Sequence, residues 1–151
     1  HDIDIILSIV KSDVVDVRAS GVPVLTNNID LANARLEFSN GCVANLTASR
    51  VSRERVRKIR IFQANTYITV DYAQQSMGIY RRIIENNIPK ITGEDTKLEK
   101  EEPLLSELAS FINAVRNRST PAVTGEDGRE ALRIAISIRE DAEKRLSSIQ
   151  N

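Results

Sequence analysis

A single histidine at the start of the chain is the residue best suited to acid–base chemistry. His1 is the only histidine among 151 residues, and an imidazole donates or accepts a proton near neutral pH. Such a group suits the interconversion of an alcohol and a ketone. Asp4 follows three residues later, on the same face of a helix, where a carboxylate can orient the ring. The simpler interpretation of a lone histidine at a chain end is a surface residue or a tag remnant.

The densest group of positive charges lies in the middle of the chain. It comprises Arg50, Arg53, Arg55, Arg57, Lys58 and Arg60. Guanidinium groups bind phosphates through paired hydrogen bonds, and Arg50 and Arg53 lie at the exit of a predicted strand, so these two are the candidates for substrate binding. Arg57 and Arg60 fall within the next predicted strand and are expected to face solvent. A solvated strand face and a nucleic-acid contact are the alternatives, the second weakened by the absence of interleaved aromatic residues.

Composition removes several classes of function. Lys plus Arg and Asp plus Glu both number 21, so the formal net charge is zero. That balance gives no electrostatic reason to expect nucleic acid or an anionic membrane surface as partner. No apolar run approaches the ~18 residues of a membrane span. With one cysteine, Cys42, no intrachain disulfide can form, which fits a reducing cytoplasm.

The same count limits metal and cofactor sites. One cysteine and one histidine far apart in the sequence do not make a zinc site. The acidic turn 125–128 lacks the further oxygen ligands of a calcium loop, and it is better interpreted as a turn and helix entry capped by Thr124 or Asp127. No glycine-rich phosphate loop is found. We therefore expect neither a metal site nor a dinucleotide site within this chain.

Apolar periodicity predicts one helix, then a block of strands, then two more helices. The first helix runs from His1 to near Ser12 and has its apolar face on Ile3, Ile6, Leu7 and Val10. A helix that begins on the first residue is expected to have lost its beginning, so the chain is predicted to be the second part of a longer polypeptide. Strands are predicted over 14–19, 30–37, 42–49, 56–62, 67–72 and 77–84, and a tight turn at 39–41.

The remaining segments complete an α+β prediction. Residues 89–103 are charged and are predicted to form a solvated loop or an edge strand rather than a binding site. Two helices follow, and the inner stripe of the last one is predicted to consist of Ala131, Leu132, Ala135, Ile138 and Ala142. The fold class is α+β, with a largely antiparallel mixed β-sheet and helices packed on one face.

Three stretches resemble the C-terminal domain of the Gfo/Idh/MocA family of NAD(P)-dependent oxidoreductases. They are His1-Asp2-Ile3-Asp4, the hairpin segment 34–44 and the helix-entry segment 121–132. Their order and spacing together match the family over nearly the whole chain. The turn at Ala64-Asn65 departs from the family pattern because it lacks the glycine often found there.

The resemblance implies a function for the chain. Residues 1–151 would form the substrate-binding and oligomerisation domain, with a fold like the C-terminal domain of glyceraldehyde-3-phosphate dehydrogenase. The Rossmann domain, which binds NAD or NADP and carries the catalytic lysine, would lie outside this chain. His1 would act in proton transfer as hydride moves. Segment 45–50 and the basic residues after it look like those of members that act on nucleotide-linked amino sugars, so the partner would be a sugar or nucleotide-sugar substrate.

Self-association is the second functional expectation. Val43 and Leu46 have opposite parity along one strand, as have Ile61 and Phe62 on another, so apolar side chains are predicted on both faces of the sheet. Three helices can cover only one face, and an exposed apolar face is a candidate interface. We therefore expect a homodimer or a dimer of dimers through the sheet face. The alternative function is a non-catalytic β-sheet dimerisation module.

Overall fold

The computed structural model describes residues 1–54 and 56–149, and the α+β class is confirmed there. The helices are α1 (Asp2–Val10), α2 (Pro103–Asn117) and α3 (Gly125–Ile149). The strands are β1 (Val14–Val22), β2 (Leu31–Phe38), β3 (Val43–Ser49), β4 (Lys58–Phe62), β5 (Thr66–Asp71), β6 (Ser76–Glu85) and β7 (Ile88–Lys97). The chain divides into two compact units, one of residues 1–53 with the residues from 114 onward, the other of residues 54–113.

The first unit contains a three-stranded antiparallel sheet in the order β1-β2-β3. The predicted turn between β2 and β3 is present, and Gly41 has the positive φ of 83° that such a turn requires. Gly41 N donates to Phe38 O at 2.9 Å, and Asn40 Oδ1 accepts from Cys42 N at 3.0 Å. These bonds set the register that pairs Leu36 with Ala44.

Helices α1 and α3 cover one face of this sheet. Leu36 and Ile134 have no exposed surface, and Phe38 is 3% exposed. The predicted apolar face of α1 packs on this cluster through Ile3, Ile6, Leu7 and Val10. A second cluster joins Ala19, Ala34 and Ala142, where small side chains let α3 approach the strands.

A β-bulge lets both Val14 and Val17 reach this core. The two residues have opposite parity, so in a regular strand they would face opposite sides. The pairing register of β1 with β2 shifts between Val14 and Asp16, which returns Val14 to the covered face and leaves Val15 64% exposed.

Helix α3 begins at a capping box. Thr124 Oγ1 accepts from Asp127 N at 3.2 Å, and Asp127 Oδ2 accepts from Thr124 N at 2.8 Å, as expected from the predicted cap. The predicted inner stripe of α3 is wrong at one position. Leu132 is 60% exposed, and the fully buried residue is Ile134, because the helix is rotated so that Ile134, Ile138 and Ala142 face the sheet.

A carboxylate joins α3 to the edge of the three-stranded sheet. Asp141 Oδ2 accepts from the backbone N–H of Ala19 at 2.6 Å and from Arg145 Nε at 2.9 Å. Ala19 lies on the edge strand β1, so this N–H would otherwise lack a strand partner. The bond from Ala19 and the one from Arg145 lower the pKa of Asp141 below its ordinary value of 3.8.

The second unit contains a four-stranded antiparallel sheet in the order β4-β5-β6-β7. Asn86 and Asn87 join β6 to β7 with φ of 52° and 62°, as in a type I′ hairpin turn. Every residue of β7 is exposed, and β7 is the last strand of its sheet. This confirms the edge-strand alternative for residues 89–97 of the predicted segment 89–103, and residues 98–102 lie outside the strand. Arg60 is exposed as predicted, whereas Arg57, also exposed, precedes β4 by one residue.

An aromatic row crosses one face of the four-stranded sheet. Phe62, Tyr67 and Tyr80 are consecutive cross-strand partners, with ring centroids 4.8 Å and 5.6 Å apart. Tyr80 continues the row over Gly93, its partner on β7, where an added Cβ would lie 2.6 Å from Tyr80 Cδ1. Phe62 is 75% exposed, so the row ends in an open ring face.

Exposed apolar residues also mark α2. Its larger apolar side chains are between 47% and 67% exposed; they are Leu104, Leu105, Leu108, Phe111, Ile112 and Val115. Within the described ranges, no helix combines the length and hydropathy that crossing a bilayer requires.

Replacing Ile134 by alanine should lower the free energy of unfolding by about 2–5 kcal/mol, because the truncation leaves a cavity in the core. Leu132→Ala, two residues away on the exposed side of α3, should change it by less than about 0.5 kcal/mol. Urea denaturation of both variants measures the difference. Equal losses would contradict the orientation of α3 described above.

Replacing Asp141 by asparagine should cost about 1–3 kcal/mol at pH 7, because a charged acceptor for Ala19 N is lost. The folded-state pKa is lowered, so this stabilisation is complete above the ordinary value of 3.8 and disappears as the pH falls below it. The gap between wild type and variant should therefore narrow from pH 7 to pH 3 in urea titrations. Glu140→Gln, on the exposed neighbour, is the control; a gap that widens in acid would refute the assignment.

Candidate active site

The predicted catalytic histidine lies at the beginning of α1. His1 is the N-cap residue and is exposed, and its carbonyl accepts from Ile5 N at 2.9 Å. Its side chain makes no capping hydrogen bond, so the ring is not engaged by the amides of the first turn. The packing of Ile3 and Ile6 on the core holds this turn in place.

Asp4 lies in the same turn and is half-buried. Together with Asp2 it gives the helix an acidic first turn, which stabilises the N-terminus of a helix. Among the residues that the structure describes, no hydrogen bond or ion pair joins Asp4 to the His1 ring. The two residues share one turn, and the orienting role of Asp4 stays a prediction.

Arg50 follows directly after β3 and lies beside the start of β2. Leu31 pairs with Ser49, and one residue beyond that pair Arg50 N donates to Asp30 O at 3.0 Å. The side chain turns to the same residue, with Arg50 Nε 3.7 Å from Asp30 Oδ1. The Arg50 side chain is 65% exposed, so its guanidinium is both tethered and accessible.

Asp30 is the residue of this site that the sequence prediction missed. Its side chain has no exposed surface, and Asp30 Oδ2 accepts from the backbone N–H groups of Val24, Leu25 and Thr26 at 2.9, 2.8 and 2.8 Å. Thr26 Oγ1 adds a bond to Asp30 Oδ1 at 3.0 Å. These backbone bonds, led by the one from Thr26, hold the pKa of Asp30 far below its usual range.

A local signal for Asp30 was present in the sequence. A proline at position 23 is followed by Thr26, two asparagines and an aspartate just before a strand. Aspartate often closes such a turn through backbone N–H groups. The sequence does not show that the same carboxylate meets Arg50, because that contact depends on the pairing of β2 with β3.

Arg53 lies beyond a turn that follows β3. Ser49 Oγ accepts from Val51 N at 3.2 Å and from Ser52 N at 3.1 Å, which closes the turn. Arg53 is exposed, and the described contacts do not link it to Asp30. Arg55, another member of the predicted basic stretch, lies outside the described residues. The structure therefore separates Arg50, which has a fixed partner, from Arg53, which has none among the described residues.

A shallow groove of about 410 Å³ is lined by residues of all three strands of the first sheet and by Arg145 of α3. Polar residues dominate its lining, among them Asn33 and Thr47, joined by a hydrogen bond of 2.8 Å. Arg18 and Arg35 border it and are paired with acidic neighbours on their own strands at 2.8 and 3.2 Å. Val43 lies on the same face of the sheet as Asn33 and Thr47 and is 40% exposed. The sequence predicted apolar side chains on this face, and the structure places mainly polar ones there.

One curated relative and several solved structures resemble this chain. UDP-N-acetylglucosamine 3-dehydrogenase from Acidithiobacillus ferrooxidans is 38% identical over 141 residues, which is 92% of this chain and 45% of that protein. The chain belongs to the Gfo/Idh/MocA family. No family model matches it.

The solved structures agree with this Gfo/Idh/MocA assignment. A structure of the same Acidithiobacillus enzyme superposes with a TM-score of 0.87 at 36% identity, over 95% of this chain and 45% of that one. The Bordetella pertussis WlbA dehydrogenase, solved with NADH and UDP-GlcNAcA, superposes with a TM-score of 0.64 at 19% identity. The match covers 95% of this chain and 40% of that one. This more distant likeness shows the fold alone. The chain thus spans less than half the length of the relatives that it matches.

The N-termini of the three helices are the places in this Gfo/Idh/MocA chain where a dinucleotide could be held. A pyrophosphate favours a helix N-terminus with free N–H groups. The first turns of α1 and α3 are acidic, and the carboxylate of Asp127 already occupies the beginning of α3. At α2, Glu102 Oε2 accepts from Leu105 N at 2.8 Å. The helix N-termini in the described part of this Gfo/Idh/MocA chain therefore do not fit a pyrophosphate group.

Metal ligands are also dispersed in the described part of this Gfo/Idh/MocA chain. No three His, Cys, Asp or Glu side chains among the described residues are close enough together to hold a metal ion. Cys42 is a free thiol of intermediate exposure.

Proposed function

We propose that residues 1–151 form the substrate-binding and oligomerisation domain of an NAD(P)-dependent dehydrogenase that acts on a nucleotide sugar. The reaction would be hydride transfer at a sugar carbinol. The observation that carries this proposal is the similarity to UDP-N-acetylglucosamine 3-dehydrogenase along nearly the whole chain. The family membership supports an oxidoreductase domain, and the substrate is the finer proposal.

NAD or NADP would be bound mainly by residues outside this chain. The acidic first turns of α1 and α3 support this division, because they repel the pyrophosphate that both cofactors contain. Because the described helix N-termini do not fit the cofactor, the roles proposed here concern proton transfer and substrate binding.

His1 is proposed to move a proton at the reacting sugar hydroxyl. Its exposure and the absence of a capping bond to its side chain support this role, because an acid–base group must reach the substrate. Asp4, three residues later in the first turn of α1, is proposed to orient the ring. Both residues stand on a helix that the core holds through Ile3 and Ile6.

Arg50 and Arg53 are proposed to bind the anionic part of the substrate, such as a diphosphate. Arg50 has the stronger structural support, because its guanidinium is accessible and fixed on one side. A guanidinium retains several N–H donors for a phosphate even when one side faces a carboxylate. Arg53 is supported by its exposure and its place three residues further along the same segment.

Self-association is proposed to use a sheet face. The face of the four-stranded sheet that carries Phe62, Tyr67 and Tyr80 also has Ile84 and Ile91, which are 68% and 79% exposed. These residues form an exposed apolar patch beside the charged Arg60 and Arg82 of the same face. Such a patch supports a homodimer or a dimer of dimers with closed symmetry. Cys42, a free thiol, fits a cytoplasmic location.

Replacing His1 by asparagine in the complete protein should lower the turnover number for UDP-N-acetylglucosamine by about 10²–10⁴-fold, because asparagine cannot exchange a proton near neutral pH. The dissociation constant of NADH, measured by fluorescence titration, should stay unchanged. Ser8→Ala, an exposed change on α1, is the control and should turn over normally. Unchanged turnover in the His1 variant would instead favour a non-catalytic dimerisation module.

Replacing Ile91 by glutamate should shift the chain toward monomer, because two charges would enter a symmetric apolar contact. Val123→Glu, a similarly exposed apolar position before α3, should leave assembly unchanged. Sedimentation equilibrium across a concentration series measures both. A wild-type chain that stays monomeric at tens of micromolar would refute the proposed interface.

A further inference from the structure

We infer that Asp30 is a positioning residue, which holds the Arg50 guanidinium in the orientation that receives the anionic group of the substrate. This inference deepens the proposed function and rests on Arg50 being a substrate-binding residue. It concerns a buried carboxylate in the first unit that the proposed reaction does not otherwise use.

Asp30 is itself immobilised by the loop that precedes β2. Three consecutive backbone N–H groups, from Val24 to Thr26, donate to one carboxylate oxygen at 2.8–2.9 Å. The Thr26 hydroxyl donates to the other oxygen at 3.0 Å, and Asp30 N donates to Val22 O at 3.0 Å. The Asp30 side chain has no exposed surface, so its carboxylate is held in one position. A guanidinium that pairs with this carboxylate is therefore held at a defined place.

Arg50 is tied to Asp30 twice. Its backbone N–H donates to Asp30 O at 3.0 Å, which places its Cα beside the start of β2. Its Nε lies 3.7 Å from Asp30 Oδ1, which directs the long side chain toward the buried carboxylate. An unpaired arginine at a strand exit would sample many rotamers, and ordering it on binding would reduce affinity. The contact with Asp30 orders the Arg50 side chain when the protein folds, before any substrate binds.

The charge balance at this pair leaves Arg50 able to attract an anion. The backbone N–H groups point their positive ends at Asp30 and compensate much of its negative charge. They also keep the pKa of Asp30 low, so the carboxylate stays ionised at neutral pH. The guanidinium faces a carboxylate whose charge is already compensated, and it is 65% exposed toward solvent.

Positioning and simple neutralisation predict opposite effects of removing the Asp30 charge. If Asp30 only weakens the positive field of Arg50, Asp30→Asn should strengthen binding of an anionic substrate. If Asp30 positions Arg50, the same substitution should weaken binding. The sign of the change therefore decides between the two.

The experiment is a double-mutant cycle on the complete protein with UDP-N-acetylglucosamine as the probe. Arg50→Ala should raise KM by about 10-fold or more with a smaller effect on kcat, as expected for loss of a charged hydrogen bond. Asp30→Asn should raise KM by about threefold to tenfold when Arg50 is present, and should add nothing in the Arg50→Ala background. Thermal unfolding of each variant is recorded separately.

A matched control comes from Asp71, which accepts from Gln74 N at 2.9 Å and pairs with Lys58 at 3.2 Å. Asp71→Asn removes a similar carboxylate from the second unit and should leave KM unchanged. Arg50→Lys keeps the charge but lacks the Nε–H group, so it should also raise KM. This variant tests the inference even if Asp30→Asn does not fold.

The outcomes are distinct. An unchanged KM in Arg50→Ala would refute the proposed substrate role of Arg50 and the inference with it. A raised KM in Arg50→Ala, with an unchanged or lowered KM in Asp30→Asn, would refute the inference alone. Equal KM effects of Asp30→Asn in both backgrounds would show a structural role only. A KM for Arg50→Lys equal to that of wild type would also overturn positioning.

Discussion

The contact between Leu36 of β2 and Ile134 of α3 is the constraint on which the first unit depends. Both side chains have no exposed surface, and the apolar face of α1 closes over the same cluster. Burying a side chain of this size stabilises the fold by about 1.5–3 kcal/mol. The contact fixes the rotation of α3 about its axis and the position at which α1 packs. Because His1 caps α1, the contact also fixes the position of the His1 backbone.

Three exposed parts of the strands differ in their chemistry. The outer edge of β1 is satisfied by Asp141, which accepts from Ala19 N. The open face of the same sheet carries polar and charged side chains, with Asn33 and Thr47 bonded to each other. In the second unit the aromatic row ends at the exposed ring of Phe62. With the exposed Ile84 and Ile91, this row forms an apolar patch on the four-stranded sheet, and self-association is proposed there.

The proposed substrate site illustrates how a surface arginine can be given a defined position. Arg50 lies where β3 leaves the sheet, and the antiparallel pairing with β2 brings it beside Asp30. The loop that encloses Asp30 supplies backbone N–H groups that compensate its charge. Backbone geometry therefore supports a charge that would be costly to bury alone.

Local sequence patterns determined the elements of this chain, whereas tertiary packing decided which side chains work together. The face of α1, the Asn40-Gly41 turn and the Thr124 cap were predictable, because each depends on residues close in sequence. Leu132 was misplaced because helical spacing does not set the rotation of α3 against a sheet. Asp30 was missed as a partner of Arg50 because 20 residues separate them. Only the register of β2 with β3 brings that carboxylate to that guanidinium.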